Sequence, residues 1–255
     1  MNEEMLKALY QIFDPSLPRL APGDNLSTRR ALTSLFGSLP PRPGLRALDI
    51  GCGNGTQTLR LVAELGCHVT AIDNHAPYLA ELDRRAAAQG VVNHVTTKCA
   101  DMNGLDLDGQ TFDLVWAEGS AFVIGIGEAL TAWRKFLTPG GALGFSDLVW
   151  LRDDAPAECH RFFGEEYPPL SNVATIRQLI ADHGWDLVDD FALPESSWLQ
   201  EFYDHLSRHL DEVEPHLPPD GPTTTMAAMC RREIAMYRKY SRYYGYVFFT
   251  ARKRG

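Results

Sequence analysis

The sequence predicts an α/β fold in which a mostly parallel sheet carries helices on both faces. Short apolar runs that suit strands alternate with helical patterns from residue 45 onward. A glycine-rich stretch follows the first of these runs, as expected for a strand–turn–helix unit. The chain has 255 residues, of which 45% are apolar, and this is enough for one large domain with a full core. Strands that alternate with helices form parallel sheets, because each crossover helix returns the chain to the same edge.

The elements follow in order along the chain. Two helices are predicted at 3–13 and 28–39, the second capped by Ser27, and prolines and glycine at 40–44 end this segment. The predicted strands are 45–50, 68–73, 94–97, 112–116, 142–146, 185–191 and 246–251. The predicted helices between them end near residue 65 or span 77–88, 125–137, 155–165 and 172–183. A turn at 138–141 is expected before the fifth strand, so that Asp147 lies just past this strand.

Composition and charge exclude several classes of protein. Lysine and arginine total 24 against 33 aspartate and glutamate, a formal net charge of −9, which disfavours nucleic acid as a partner. The N-terminus lacks a basic region followed by an apolar stretch, and no apolar run approaches the roughly 20 residues that cross a bilayer. The five cysteines form no CxxC pair. We therefore expect a cytoplasmic protein with no secretory signal, no membrane partner and no structural metal.

The glycine-rich loop runs from the first strand into the following helix. Glycines there permit a sharp turn, and the helix N-terminus offers free N–H groups to a ligand. Nicotinamide sites have the spacing Gly-x-Gly-x-x-Gly, but this loop has Gly51, Gly53 and Gly55, with Thr56 at the third position of that pattern. No Lys-Ser/Thr pair follows, so the loop is not a Walker A motif either.

With Asp49 before the three glycines, this loop resembles the first motif of the class I S-adenosylmethionine-dependent methyltransferases. Asp73 ends the second strand, where the family has an acid that accepts hydrogen bonds from the ribose hydroxyls. Asp101 and Met102 follow the third strand, where the family meets the adenine. The runs 112–115 and 137–141 also resemble the family's fourth strand and the turn before its fifth, so the resemblance covers about 45–145.

This resemblance implies a Rossmann-like sheet of seven strands with an antiparallel last strand, close to the core of the ubiquinone and menaquinone methyltransferases. It implies S-adenosylmethionine as methyl donor and S-adenosylhomocysteine as product. The cofactor-binding residues that we infer are Asp49, Gly51, Cys52, Gly53, Gly55, Asp73, Asn74, Asp101, Met102 and Glu118. We expect a single domain over 1–255, with a helical N-terminal cover at 1–44, a cofactor-binding core at 45–147 and an acceptor-side half at 148–255.

The methyl acceptor is expected beyond the carboxyl ends of the fourth and fifth strands, where open α/β sheets bind ligands. Glu118 and Asp147 are the candidate catalytic residues there. Glu118 serves either as a base or cation-orienting carboxylate, or only as an anchor for a loop, and the sequence leaves both open. Aromatic residues that could line the acceptor pocket, or simply lie in the core, are Tyr10, Trp150 and Tyr167.

The long segment 194–243 before the last strand departs from the family's short hairpin, and we interpret it as a lid or as an oligomer contact such as that of a homodimer. His205 and His209 have a spacing that could hold a metal, but a solvated helix face is the simpler interpretation. The leading hypothesis is methyl transfer to a small molecule by in-line displacement. The alternatives are a non-catalytic cofactor-binding protein on the same fold and a nicotinamide-dependent oxidoreductase.

Overall fold

The computed structural model describes residues 2–38, 42–166 and 170–255. These residues contain a seven-stranded sheet in the order β3-β2-β1-β4-β5-β7-β6. The strands are β1 (Arg46–Ile50), β2 (His68–Asp73), β3 (Val95–Cys99), β4 (Phe112–Glu118), β5 (Leu137–Trp150), β6 (Trp185–Ala192) and β7 (Tyr244–Lys253). Strand β7 is antiparallel to both β5 and β6, whereas the pairs from β3 to β5 are parallel. The predicted sheet, including its antiparallel last strand, is confirmed.

Helices cover both faces of this sheet. The α-helices of the described residues are α1 (Glu3–Ile12), α2 (Asn25–Phe36), α3 (Thr56–Leu65), α4 (Ala76–Ala88), α5 (Ile126–Arg134), α6 (Ala157–Glu166), α7 (Val173–Asp182), α8 (Glu195–Trp198), α9 (Asp204–Val213) and α10 (Pro222–Tyr240). Apolar residues of α2, α3 and α4 pack on one face, and those of α5 and α7 pack on the other. Burial of these apolar stripes on the sheet drives the assembly of the layers.

A second core lies apart from the two faces and includes the segment between β6 and β7. This segment contains α8, a π-helical stretch at Leu199–Tyr203, α9 and α10. Its apolar residues pack with those of α1 and α6 and with Leu148 and Tyr244 of the sheet. The predicted helical insertion before the last strand is therefore confirmed, while its role as a lid stays a prediction.

Two expectations about element boundaries are wrong. Asp147 lies inside β5, because β7 pairs with β5 as far as Trp150 and so extends that strand beyond the end of β4. Its side chain is buried, and Asp147 pairs with Val247. Helix α2 begins at Asn25, since the carboxylate of Asp24 accepts the Ser27 N–H at 2.7 Å and is therefore the cap. The predicted end of this helix at residue 39 lies outside the described residues.

No helix within residues 2–38, 42–166 and 170–255 is both long enough and apolar enough to cross a membrane.

Candidate functional site

The glycine loop connects β1 to α3 at the carboxyl edge of the sheet. Gly51, Gly53 and Gly55 have φ angles of +73°, +53° and +80°, a region that favours glycine. The amides of Gly51 and Cys52 both donate to the carbonyl oxygen of Ile72 at the end of β2. The loop is thus held against the neighbouring strand by its own backbone.

Close packing also requires two of these glycines. A Cβ at Gly55 would lie 2.2 Å from Cδ1 of Leu82, and one at Gly51 would lie 2.5 Å from Cβ of Ser120. Ser120 is fixed, because its hydroxyl donates to the carbonyl oxygen of Ile50 at 2.6 Å. The loop therefore has no room for side chains on the sides that face α4 and the turn after β4.

Asp73 ends β2 beside this loop. Its carboxylate accepts the Gly53 N–H and the His75 N–H, each at 2.9 Å. Burial raises the pKa of the Asp73 carboxyl, and the two backbone hydrogen bonds oppose that rise. The structure thus brings Asp73, which is predicted to bind the ribose, into direct contact with the middle glycine of the loop.

Asp49 lies in β1, fully buried beneath the loop. The hydroxyl of Thr58 donates to its Oδ2 at 2.5 Å, while Oδ1 has no hydrogen-bond partner among the described residues. Burial raises the pKa of Asp49 to about 8; the Thr58 hydroxyl opposes this rise and the charge of Glu118 adds to it. This predicted cofactor residue therefore connects β1 to the first turn of α3, on the two sides of the loop.

The residues predicted to meet the adenine lie at the outer end of the same edge. Asp101 is exposed, and its carboxylate accepts the Asn103 N–H at 2.8 Å. Met102 is half-buried, with Cε 3.4 Å from the position of a Cβ on Gly51. Asn74 is exposed and accepts a hydrogen bond from the Tyr10 hydroxyl at 3.0 Å. This end of the site is more open than the glycine loop.

The N-terminal strap, which we define as residues 14–24 between α1 and α2, crosses the glycine loop. Asn54 of the loop donates through Nδ2 to the carbonyl oxygens of Pro15 and Leu17, at 3.1 and 2.6 Å. The Thr56 hydroxyl donates to the carbonyl oxygen of Pro18 at 2.6 Å. The polar side chains of the glycine motif therefore bind the strap, a role that the motif alone did not indicate.

Further bonds fasten the strap to the rest of the fold. Arg85 of α4 donates through Nη2 to the carbonyl oxygens of Pro15 and Leu17, at 3.1 and 2.9 Å. At its other end, Asp24 accepts a short hydrogen bond from the Ser197 hydroxyl of the insertion. The strap thus connects the glycine loop with the helical insertion.

Glu118, at the end of β4, contacts the strap and α2. Its Oε1 accepts the Thr28 hydroxyl at 2.8 Å and the Trp116 indole N–H at 3.0 Å. Its Oε2 lies 3.6 Å from Nη1 of Arg19, and both side chains are almost fully buried. Through these contacts Glu118 anchors α2 and the strap to the end of β4. Oε2 accepts neither of the two hydrogen bonds and is the oxygen that could meet a ligand.

The other sequence candidates fall in different places. Tyr10 stacks on His75 at a ring distance of 3.7 Å, next to Asp73. Trp150 packs against His160 and Phe163 near the second core, and Tyr167 lies outside the described residues. No group of three metal-ligating side chains occurs in the part of the chain that the structure describes.

Comparison with known proteins places this fold and site in a family. Residues 47–141 match the family model described as a methyltransferase domain. The malonyl-[acyl-carrier protein] O-methyltransferase of Enterobacter lignolyticus is 33% identical over 149 residues, which are 54% of this chain and 57% of that protein. The chain spans about half the length of the curated relatives it matches.

Solved structures share the whole fold. A methyltransferase from Geobacter sulfurreducens in complex with S-adenosyl-L-homocysteine has a TM-score of 0.77 at 20% identity and covers 98% of both chains. The [4+2]-cyclase SpnF has a TM-score of 0.71 at 21% identity, covering 94% of this chain and 85% of its own. The chain therefore contains a methyltransferase domain at residues 47–141, and these comparisons support a class I S-adenosylmethionine-dependent methyltransferase.

Proposed function

We propose that this protein transfers a methyl group from S-adenosylmethionine to a small-molecule acceptor. The observation that carries the proposal is the contact between Asp73 and the glycine loop, with Asp101 further along the same edge. A carboxylate beside a glycine loop, where the backbone can be approached closely, suits the ribose and methionine parts of this cofactor. The match to a methyltransferase domain supports the same cofactor.

In this proposal each predicted residue has a defined position along the cofactor. The ribose hydroxyls hydrogen-bond to Asp73, and the adenine lies against Met102 with its amino group toward Asp101. Asn74 is exposed next to Asp73 and is in reach of the ribose. The methionine part lies over the loop, where Gly51, Cys52, Gly53 and Gly55 contribute backbone, and Asp49 supports that backbone from within β1.

The cofactor supplies an electrophilic methyl group on a sulfonium. The acceptor's lone pair forms the new bond to this methyl while the C–S electron pair returns to sulfur. The protein's part is to align the acceptor and exclude water. Glu118 and Asp147 remain the candidates for orienting the acceptor or taking its proton, both at the end of the sheet where the cofactor would lie.

A small acceptor fits the charge and architecture of the chain. The net charge of −9 disfavours polyanions, and the strap that crosses the glycine loop is hydrogen-bonded to the helical insertion. The relative from E. lignolyticus is named for malonyl-[acyl-carrier protein], so an acceptor tethered to a carrier is one form to include. The five free cysteines support a cytoplasmic location. The domain limits, the lid role of 194–243 and a homodimer stay predictions.

A second function on the same fold is catalysis without methyl transfer. It is favoured by the fold shared with the [4+2]-cyclase SpnF and by the anchoring contacts of Glu118. A nicotinamide site is less favourable, because the third Rossmann position is Thr56 and not glycine. The Thr56 hydroxyl donates to the carbonyl oxygen of Pro18 in the strap.

Calorimetry with S-adenosylmethionine tests the cofactor assignment. We expect saturable binding by the wild type and none by Asp73→Ala, whereas Asp83→Ala, an exposed carboxylate variant on α4, binds normally. Undiminished binding by Asp73→Ala would remove Asp73 from the site, and binding of NADH in its place would remove the whole assignment. Incubation of metabolite extracts with methyl-labelled cofactor then separates transfer from the second function, since only a methyltransferase yields a labelled small molecule.

A further inference from the structure

Arg19 of the strap has hydrogen-bonding capacity that its neighbours do not use. The residue is only 6% exposed, and Nη2 donates to Oδ1 of Asn25 at 2.9 Å. The separation of 3.6 Å between Nη1 and Oε2 of Glu118 is too long for a hydrogen bond. A guanidinium carries five N–H donors, and the hydrogen bond to Asn25 uses one of them. Arg19 is therefore suited to an anionic group brought by a ligand.

Glu118 has a complementary spare oxygen. Both hydrogen bonds that its carboxylate accepts from the described residues end on Oε1, from Thr28 and Trp116. Oε2 accepts none of these, and the side chain is 7% exposed. A buried carboxylate oxygen in this position is suited to a cationic N–H donor.

The two side chains face a common space next to the glycine loop. A Cβ on Gly23 would lie 2.9 Å from Nη1 of Arg19 and 3.2 Å from Oε2 of Glu118, so the absence of a side chain there keeps the space open. The neighbour of Arg19 in sequence, Leu20, has its Cδ1 3.0 Å from the position of a Cβ on Gly53. The strap that carries Arg19 thus contacts the loop that would hold the methionine part of the cofactor.

We infer that Arg19 and Glu118 together bind an α-amino-acid group, with Arg19 on its carboxylate and Glu118 on its ammonium. The inference rests on the proposed function and adds the strap to the ligand-binding surface. The charges of the pair match a zwitterion, and their separation of 3.6 Å leaves each within reach of one end of it. Two sources carry this chemistry: the methionine end of the cofactor, or an amino acid that serves as acceptor.

The ligands separate the two sources in the wild-type protein. Calorimetry compares S-adenosylhomocysteine with 5′-methylthioadenosine, which has the same nucleoside and sulfur but no amino-acid group. If the cofactor is the source, S-adenosylhomocysteine binds on the order of 100-fold more tightly, the size of effect seen when one partner of a buried charge pair is removed. If the acceptor is the source, the two bind alike, and free amino acids bind to the complex with S-adenosylhomocysteine, in which the place of the methionine end is filled.

Variants then assign the effect to Arg19. Arg19→Met should weaken S-adenosylhomocysteine on the order of 100-fold but 5′-methylthioadenosine less than about threefold. Arg29→Met is the matched control, because Arg29 has an ion pair of the same 3.6 Å length with Glu64 but is exposed on α2. Arg19→Lys keeps the charge beside Glu118 if the methionine variant does not fold, and it should weaken S-adenosylhomocysteine about tenfold.

Each outcome decides the inference. The inference is supported if Arg19→Met loses affinity selectively for the ligand with an amino-acid group, whether that ligand is S-adenosylhomocysteine or the free amino acid. Equal losses for S-adenosylhomocysteine and 5′-methylthioadenosine, or unchanged binding of every amino-acid ligand, overturn it. Failure of the proposed function is a different result, since the wild type would then bind neither nucleoside.

Discussion

Asp49→Asn should make the protein's stability less sensitive to pH. The pKa of this buried carboxyl is about 8, against 3.8 as the ordinary value. Between these pH values the folded protein retains a proton that the unfolded chain releases, so the free energy of unfolding falls as pH rises. At about 1.36 kcal/mol per pH unit, with a smaller slope as the pH approaches the pKa, Asp49 lowers the free energy of unfolding by about 2 kcal/mol between pH 6 and pH 8. Asparagine does not titrate, and its carbonyl can still accept the Thr58 hydroxyl.

Urea unfolding of cofactor-free protein from pH 6.0 to 8.5 measures this effect. The free energies of unfolding of the variant and the wild type should diverge by about 2–3 kcal/mol toward pH 8 and then run parallel, because both chains share every other titrating group. If the buried asparagine amide destabilises the variant by a constant amount, that amount shifts the variant's curve of free energy against pH without changing its slope. Asp83→Asn, on the exposed face of α4, should follow the wild type. Parallel curves for Asp49→Asn over the whole range would refute the raised pKa and its cause in burial.

Two further changes test the packing of the site. Gly55→Ala would place a Cβ 2.2 Å from Leu82 at a residue with a φ of +80°. It should therefore lower the free energy of unfolding by about 2–4 kcal/mol in urea titrations. Gly164→Ala is the control: it has open space around it and should change this free energy by less than about 1 kcal/mol. Asn54→Ala removes both hydrogen bonds that Asn54 donates to the strap, so exchange of the Ser16 and Leu17 amides should accelerate about tenfold while exchange in β1 stays unchanged. Equal exchange in both proteins would show that Asn54 does not hold the strap.

Much of the fold was predictable because its signals are local. The predicted strand at 68–73 matches β2, and the predicted start of α3 after Gly55 is correct. The alternation of apolar runs and the glycines of a tight turn determine backbone conformation over a few residues, so they can be recognised in the sequence. The sequence by itself thereby determined the class of fold, the glycine loop and the order of the acids Asp49, Asp73 and Asp101 along one edge.

The misjudged features depend on contacts between distant segments. Asp147 lies within β5 because β7, about a hundred residues later, pairs along it. The cap of α2 is Asp24 rather than Ser27, and Asp24 also accepts a hydrogen bond from the Ser197 hydroxyl of the insertion. Nothing near these residues in sequence indicates such partners.

Only the tertiary structure decided how the polar residues of the site are used. The sequence assigns no partner to Asn54 or Thr56, and in the structure both hydrogen-bond to carbonyl oxygens of the strap. The sequence left open whether Glu118 acts on the acceptor or anchors a loop, and in the structure its Oε1 accepts hydrogen bonds from Thr28 and Trp116. The physical reason is that backbone conformation is set by neighbours in the chain, whereas the partner of a buried polar group is whichever segment the packing of the layers brings within about 3 Å.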